Sequence, residues 1–153
     1  MFTIHTEQAE FNGKTLTIET GLMGRLANAS VTVTLGETQV FVAACADKIR
    51  RDLGFFPLTV DYREKMIAAG KFPGGFMKRE GRPTTKEILT CRVIDRPIRP
   101  LFPSGMGIEV QIQAIVLSAE EDVDPDILAS VGTMVQSGRW SLQRMVMAGR
   151  WSP

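Results

Sequence analysis

The chain is poor in the residues on which most active-site chemistry is built. Its 153 residues include one histidine, His5, two cysteines, Cys45 and Cys91, and one tyrosine. A single histidine so close to the start supplies neither a His-rich metal site nor a Ser-His-Asp triad, and His5 reads as a surface strand residue. The two cysteines stand far apart with no Cys-x-x-Cys spacing, which excludes a disulfide framework and a zinc site and makes a reducing cytoplasm the expected compartment. No apolar run approaches the ~20 residues that cross a bilayer, so no membrane partner is expected. Met1 to Phe11 carries Glu7 and Glu10 and lacks the positive start and apolar stretch of a targeting segment. There is no Gly-x-x-x-x-Gly-Lys-Ser/Thr phosphate loop, and Gly70 to Gly75 lacks the spacing of a dinucleotide fingerprint. The acidic run Glu120 to Asp126 lacks the glycine and terminal glutamate of a calcium loop and reads as helix capping and solvation. No catalytic residue and no metal ligand is assigned from the residues.

What is present is an ordinary globular composition, 44% hydrophobic and 23% charged, enough for one domain or a large piece of one. The first third reads as strands: Thr15 to Glu19 alternate, Val31, Val33 and Leu35 alternate with threonines, and Val40 to Ala46 is apolar. Gly36-Glu37 between the last two fits a type II′ hairpin turn, because glycine takes the required positive φ at little cost. Phe55 to Val60 and Ile108 to Leu117 read as further strands. Between them Asp61 to Pro83 is irregular, too long and too glycine-rich to be mere connection.

Thr84-Thr85-Lys86-Glu87 is a capping box, so a helix begins there. Ile88, Cys91, Ile94, Ile98 and Leu101 are assigned to its core face, with Arg92, Arg96 and Arg99 as a separate stripe. Pro97 is expected to kink it, and Pro100 and Pro103 to end it. Asp124-Pro125-Asp126 announces a second helix, with Ile127, Leu128 and Val131 starting its apolar face. Beyond Gly132 no helical or strand period is sustained, and residues 133–153 read as an aberrant tail rather than a folded element.

The net charge of +1 conceals a pattern. Residues 63–102 hold ten bases against four acids, and residues 103–126 hold six acids and no base. The basic stretch also carries Phe72, Phe76 and Met77 beside Lys78, Arg79 and Arg82. Cations for phosphates beside flat apolar faces for bases are what unpaired nucleic acid requires, whereas a duplex reader presents a regular basic helix to a groove. The residues alone leave alternatives open. Phe72 and Phe76 can pin the loop to the core, Lys78, Arg79 and Arg82 can be a solvated face, and Arg92, Arg96 and Arg99 can bind RNA or pair with the acidic segment within the chain or across a subunit interface.

Three strings narrow this. Phe55-Phe56-Pro57-Leu58-Thr59-Val60-Asp61-Tyr62-Arg63-Glu64, then Ala68 to Pro83 (AAGKFPGGFMKREGRP), then Arg92 to Pro103 (RVIDRPIRPLFP) together resemble the start of bacterial polynucleotide phosphorylases. The likeness runs from about Phe2 to Gly132 and includes Glu19-Thr20-Gly21 and Asp124-Pro125-Asp126-Ile127. It implies an α+β fold with a mixed β-sheet and packed helices, an incomplete first RNase-PH-like domain over residues 1–132. The family's enzymes shorten single-stranded RNA from the 3′ end in mRNA degradation, using inorganic phosphate and Mg2+ and releasing nucleoside diphosphates, as homotrimeric rings in the cytoplasm. The family's aromatic-aromatic-arginine-arginine channel loop falls on Phe76, Met77, Lys78 and Arg79, with Arg82 just after. Met77 in place of a second aromatic weakens stacking, and Lys78 keeps charge without the bidentate geometry of arginine.

The resemblance also implies that phosphate and metal are held by a second RNase-PH-like domain, followed by further RNA-binding domains, none of which is in this sequence. The chain is therefore expected to retain an RNA-contacting loop, to lack the catalytic centre and to bind no cofactor. Two other readings stand beside this one. The first is a non-catalytic RNA-binding or trimer-interface module that co-assembles with full-length enzyme or degradosome components. The second is a non-functional product of a damaged or frameshifted gene.

Overall fold

A computed structural model describes residues 4–48, 55–74, 81–102 and 108–148. Six strands, β1 (His5–Phe11), β2 (Lys14–Thr20), β3 (Ala29–Leu35), β4 (Thr38–Lys48), β5 (Leu58–Glu64) and β6 (Ile108–Ser118), form one sheet in the order β1-β2-β3-β4-β6-β5. All neighbours are antiparallel except β5 and β6, which are parallel. Parallel neighbours need a crossover, and α1 (Thr85–Ile98) lies within it. The second helix, α2 (Pro125–Ala148), follows β6. This is the α+β architecture with a mixed sheet expected from the sequence.

The alternating positions of the central strands account for the core. Val31 and Val33 of β3, Val40 and Val42 of β4, Ile112 and Ala114 of β6 and Tyr62 of β5 are all buried, and the register sets them side by side on one face. Ile94 and Ile98 of α1 and Leu128 and Ala129 of α2 complete the same cluster. Both helices therefore cover one face of the sheet. The other face is partly covered at Phe41, which touches the space beside Gly24, and is open along β6 and β5.

Gly36 takes a positive φ of 62° and Glu37 does not, as a II′ turn requires. The β1–β2 hairpin has a signal that the sequence reading passed over, Asn12-Gly13, and both residues take positive φ (50° and 76°), the requirement of a type I′ turn. The expected strand Phe55 to Val60 lies instead at Leu58–Glu64, so the irregular stretch begins after Glu64, and it contains a 3-10 turn at Met66–Ala69.

The capping box of α1 forms as read: the Thr84 hydroxyl accepts from the Glu87 N–H at 3.2 Å and the Glu87 carboxylate accepts from the Thr84 N–H at 2.6 Å. Its buried face is corrected. Glu87, Thr90, Ile94 and Ile98 point inward with Cys91 half-buried, whereas Ile88 and Leu101 are about half exposed. Polar Glu87 and Thr90 are tolerated inside because both are bonded, Thr90 donating to Asp126 Oδ2 of α2 at 2.9 Å. Pro97 sits in the last turn of α1, which then tightens into a 3-10 turn at Arg99–Leu101 containing Pro100. Pro103 lies outside the described residues.

The absence of a regular element after Gly132 is also corrected. Helix α2 continues to Ala148, and Thr133, Gln136 and Ser137 are buried. Gly132 is what admits it: an added Cβ would lie 2.9 Å from Val42 Cγ2, 3.0 Å from Val33 Cγ2 and 3.2 Å from Val31 Cγ1. The helix backbone thus rests directly on the valines of β3 and β4.

The two margins of the sheet differ. At the β5 edge α1 occupies outward amides: Tyr62 N–H donates to Cys91 Sγ at 3.2 Å and Glu64 N–H to Glu87 Oε1 at 2.9 Å. At the other margin β1 pairs only with β2 among the described residues, and all seven of its residues are exposed.

Candidate nucleic-acid interface

The loop singled out by sequence is held at both feet. On the incoming side the 3-10 turn at Met66–Ala69 is fastened to the sheet, Ala119 N–H donating to Ala68 O at 3.2 Å, and Lys71 N–H folds back to Met66 O at 3.0 Å. Gly70 closes that turn in the left-handed region (φ 66°), which an L side chain adopts only with strain. Phe72 follows it and is 93% exposed. The reading that Phe72 pins the loop to the core is thereby overturned, because the ring touches too little protein to gain from burial. Phe76, Met77, Lys78 and Arg79 lie outside the described residues.

On the outgoing side Arg82 is exposed two residues before the α1 cap. It lines a cleft of about 520 Å3 with Arg63, Lys65, Met66, Asp61, Gln113 and Ile115 among its other walls. Arg63 and Gln113 were not singled out as site residues. Their signal in the sequence was their place on strands: β5 and β6 are parallel with Asp61 beside Gln113 and Arg63 beside Ile115, and only the pairing of two strands distant in sequence shows that these four share one face.

The cleft's carboxylates are each engaged. Asp61 Oδ1 accepts from Arg63 Nε at 3.0 Å. Glu64 Oε1 accepts from the Tyr62 hydroxyl at 2.8 Å and from Lys86 Nζ at 3.0 Å. Burial and the Glu64 carboxylate push the Tyr62 hydroxyl far above the ordinary tyrosine range, so it stays a neutral donor. The hydrogen bond to Glu64 raises Lys86 against a smaller opposing effect of burial. Burial pushes the Glu87 carboxyl up, but the N–H groups of Thr84 and Glu64, the Thr84 side chain and the Arg63 charge outweigh it and hold Glu87 below its usual value. Burial raises the Cys91 thiol, which keeps it protonated and inert.

The arginine stripe divides. Arg99, at the end of α1, makes a two-point pair with Asp95 of that helix, Nη2 to Oδ1 at 2.8 Å and Nε to Oδ2 at 3.0 Å, and donates to Phe56 O at 3.2 Å. It does not pair with the acidic segment, because Asp95 is one turn away on the same face. Arg92 and Arg96 are exposed and have no ion-pair partner among the described residues. The acidic segment is engaged by other partners: Glu120 Oε2 accepts from Lys14 Nζ at 3.1 Å and from Glu37 N–H at 3.3 Å, which lowers its carboxyl pKa.

Among the described residues no group of three or more His, Cys, Asp or Glu side chains is placed to hold a metal ion. No helix among the described residues is long and apolar enough to cross a membrane.

A mixed six-stranded sheet with two helices on one face and a cationic loop leading into the first of them belongs to a defined class. Residues 12–135 match the family model for the 3′ exoribonuclease family, domain 1, the RNase PH domain, and the chain belongs to that family. Within it the chain is similar to polyribonucleotide nucleotidyltransferases. It is 56% identical to that of Solibacter usitatus and 54% identical to that of a Geobacter species, each over 130 residues. These matches cover 84% of this chain and 18% and 19% of those proteins, so the chain spans under a fifth of the length of the relatives it matches. In fold it is similar to a solved chain of the Archaeoglobus fulgidus exosome with RNA bound to the active site. That match has a TM-score of 0.62 at 18% identity over 84% of this chain and 50% of that one.

Proposed function

We propose that the chain forms the RNA-contacting part of a phosphorolytic 3′-to-5′ exoribonuclease of the polyribonucleotide nucleotidyltransferase kind, and that bond cleavage takes place on another domain. The observation that carries the reading is the 56% identity over 130 residues to a protein of that name. The local structure supports the contact role: the two feet of the basic loop expose an aromatic ring, Phe72, and a guanidinium, Arg82, the two kinds of group a single strand needs. Phe76, Met77, Lys78 and Arg79 between them are the proposed channel contacts. Mg2+ and inorganic phosphate serve the whole enzyme, which is a cytoplasmic homotrimer in this reading.

The test is direct. The chain should bind oligo(A) with an affinity that falls as salt rises and that drops with Lys78→Ala or Arg79→Ala, and it should release no nucleoside diphosphate from poly(A). Binding indifferent to both substitutions refutes the loop assignment, and phosphate-dependent release of ADP by the pure chain refutes the division of labour.

A second reading, an interface module, is favoured by the outward side of α1. Ile88, Leu89 and Val93 there are 48%, 56% and 59% exposed beside exposed Arg92 and Arg96, an apolar strip of the kind that subunit contacts cover. In that case the chain sediments as an oligomer and Val93→Glu returns it to monomer.

A further inference from the structure

We propose that the cleft at the outgoing foot of the loop is a subsite for one nucleotide of single-stranded RNA, in which Arg63 and Arg82 hold a phosphodiester while Gln113 and Ile115 receive the base. The inference rests on the RNA-contact reading and adds positions outside the loop itself. At about 520 Å3 the cleft is of the size that seats small ligands. A concavity of this kind admits a strand drawn out of any helix, whereas a duplex reader needs an element that protrudes into a groove.

The floor is built by strand pairing and is rigid. Arg63 stands beside Ile115, and Asp61 beside Gln113, on the open face of the sheet. The Arg63 Nε bond to Asp61 at 3.0 Å fixes the plane of the guanidinium. Its two terminal NH2 groups, the pair that can grip two phosphate oxygens at once, make no bond with a described residue. Arg82 faces the same space from the segment leading into α1. The acids on the walls do not repel a phosphate fully, because Glu87 is turned into the amides of Thr84 and Glu64, Glu64 is held by Lys86 and Tyr62, and Asp61 by Arg63. Gln113 is exposed and offers both a donor and an acceptor to a base edge, and half-buried Ile115 offers the apolar surface beside it.

The experiment is fluorescence anisotropy of a labelled twelve-residue oligo(A) with the full chain at several KCl concentrations. Arg63→Gln should weaken binding about 3- to 10-fold and flatten the log-log salt dependence by about 0.7, the signature of one lost phosphate contact on a single strand. Arg63→Lys should recover the salt slope but not the full affinity. Gln113→Ala should weaken binding with the slope unchanged. Urea unfolding midpoints identify any variant whose loss is structural, and Gln113→Ala, an exposed truncation, keeps the test open should Arg63→Gln misfold. Wild-type affinity and slope in both Arg63→Gln and Gln113→Ala, with binding still lost in Lys78→Ala or Arg79→Ala, overturn the cleft and leave the loop reading intact. Failure of the unaltered chain to bind oligo(A) removes both.

Discussion

Glu87 gives the sharpest test of how the loop is held. The residue is 6% exposed, and its carboxylate accepts one backbone N–H on each oxygen, from Thr84 at the start of α1 and from Glu64 at the end of β5. Glu87→Gln keeps the shape but offers one oxygen and one NH2, so one of the two N–H groups faces a donor and the other keeps a weaker, uncharged bond. A hydrogen bond to a charged group contributes about 1.5–3 kcal/mol and an ordinary one about 0.5–1.5, so the substitution should cost about 2 kcal/mol at pH 7. For a domain of this size that corresponds to a fall of about 4–8 °C in Tm. The pH dependence follows from the direction of the shift. The folded carboxyl titrates below its usual 4.5, so its contribution is complete above pH 4.5 and is lost as pH falls through the folded value. Urea titrations of both proteins at pH 7, 5 and 3.5, extrapolated linearly to water, should show a constant gap at the upper two values and a narrowing one at the lowest. A gap under about 0.5 kcal/mol at pH 7, smaller than one ordinary hydrogen bond, or one that does not narrow with acid, refutes the reasoning.

Two further substitutions probe other joints. In most helices Gly→Ala stabilises by about 1 kcal/mol, but Gly132→Ala should destabilise, because the new methyl meets three valine methyls at 2.9–3.2 Å and overpacking costs about 1–3 kcal/mol. A rise in the urea midpoint would show that α2 does not rest on those valines. Arg99→Ala should cost about 0.5–1 kcal/mol, as expected of a partly exposed two-point i,i+4 pair, and should leave RNA affinity unchanged. A drop in affinity would return Arg99 to the binding surface.

Much of this was legible in the sequence where the signal is local. The capping box at Thr84–Glu87, the Asp124-Pro125 start of α2 and the Gly36-Glu37 turn each depend on a few neighbouring residues, and each forms. The core face of α1 was misread because a search for apolar spacing passes over Glu87 and Thr90, whose burial is made tolerable by partners at Glu64 and Asp126 that only the fold brings near. The extension of α2 was hidden for a related reason. Thr133 and Ser137 sit inside by bonding back to helix carbonyls, Thr133 to Ala129 O at 2.6 Å and Ser137 to Met134 O at 2.9 Å, and Gln136 donates to Val42 O at 2.6 Å. Polar letters there occupy positions that a hydrophobic pattern expects to be apolar. For the candidate site, the loop and its charge were visible in the chain, while the row of Arg63, Ile115, Asp61 and Gln113 required knowing that β5 lies alongside β6.

The unequal margins of the sheet give the domain a direction of growth. A strand from elsewhere finds the amides of Tyr62 and Glu64 already taken by α1, whereas the outward-facing alternate residues of seven-residue β1 meet no strand among the described residues. Among the described residues the flank remote from β5 is therefore the margin with more backbone left open to an added strand.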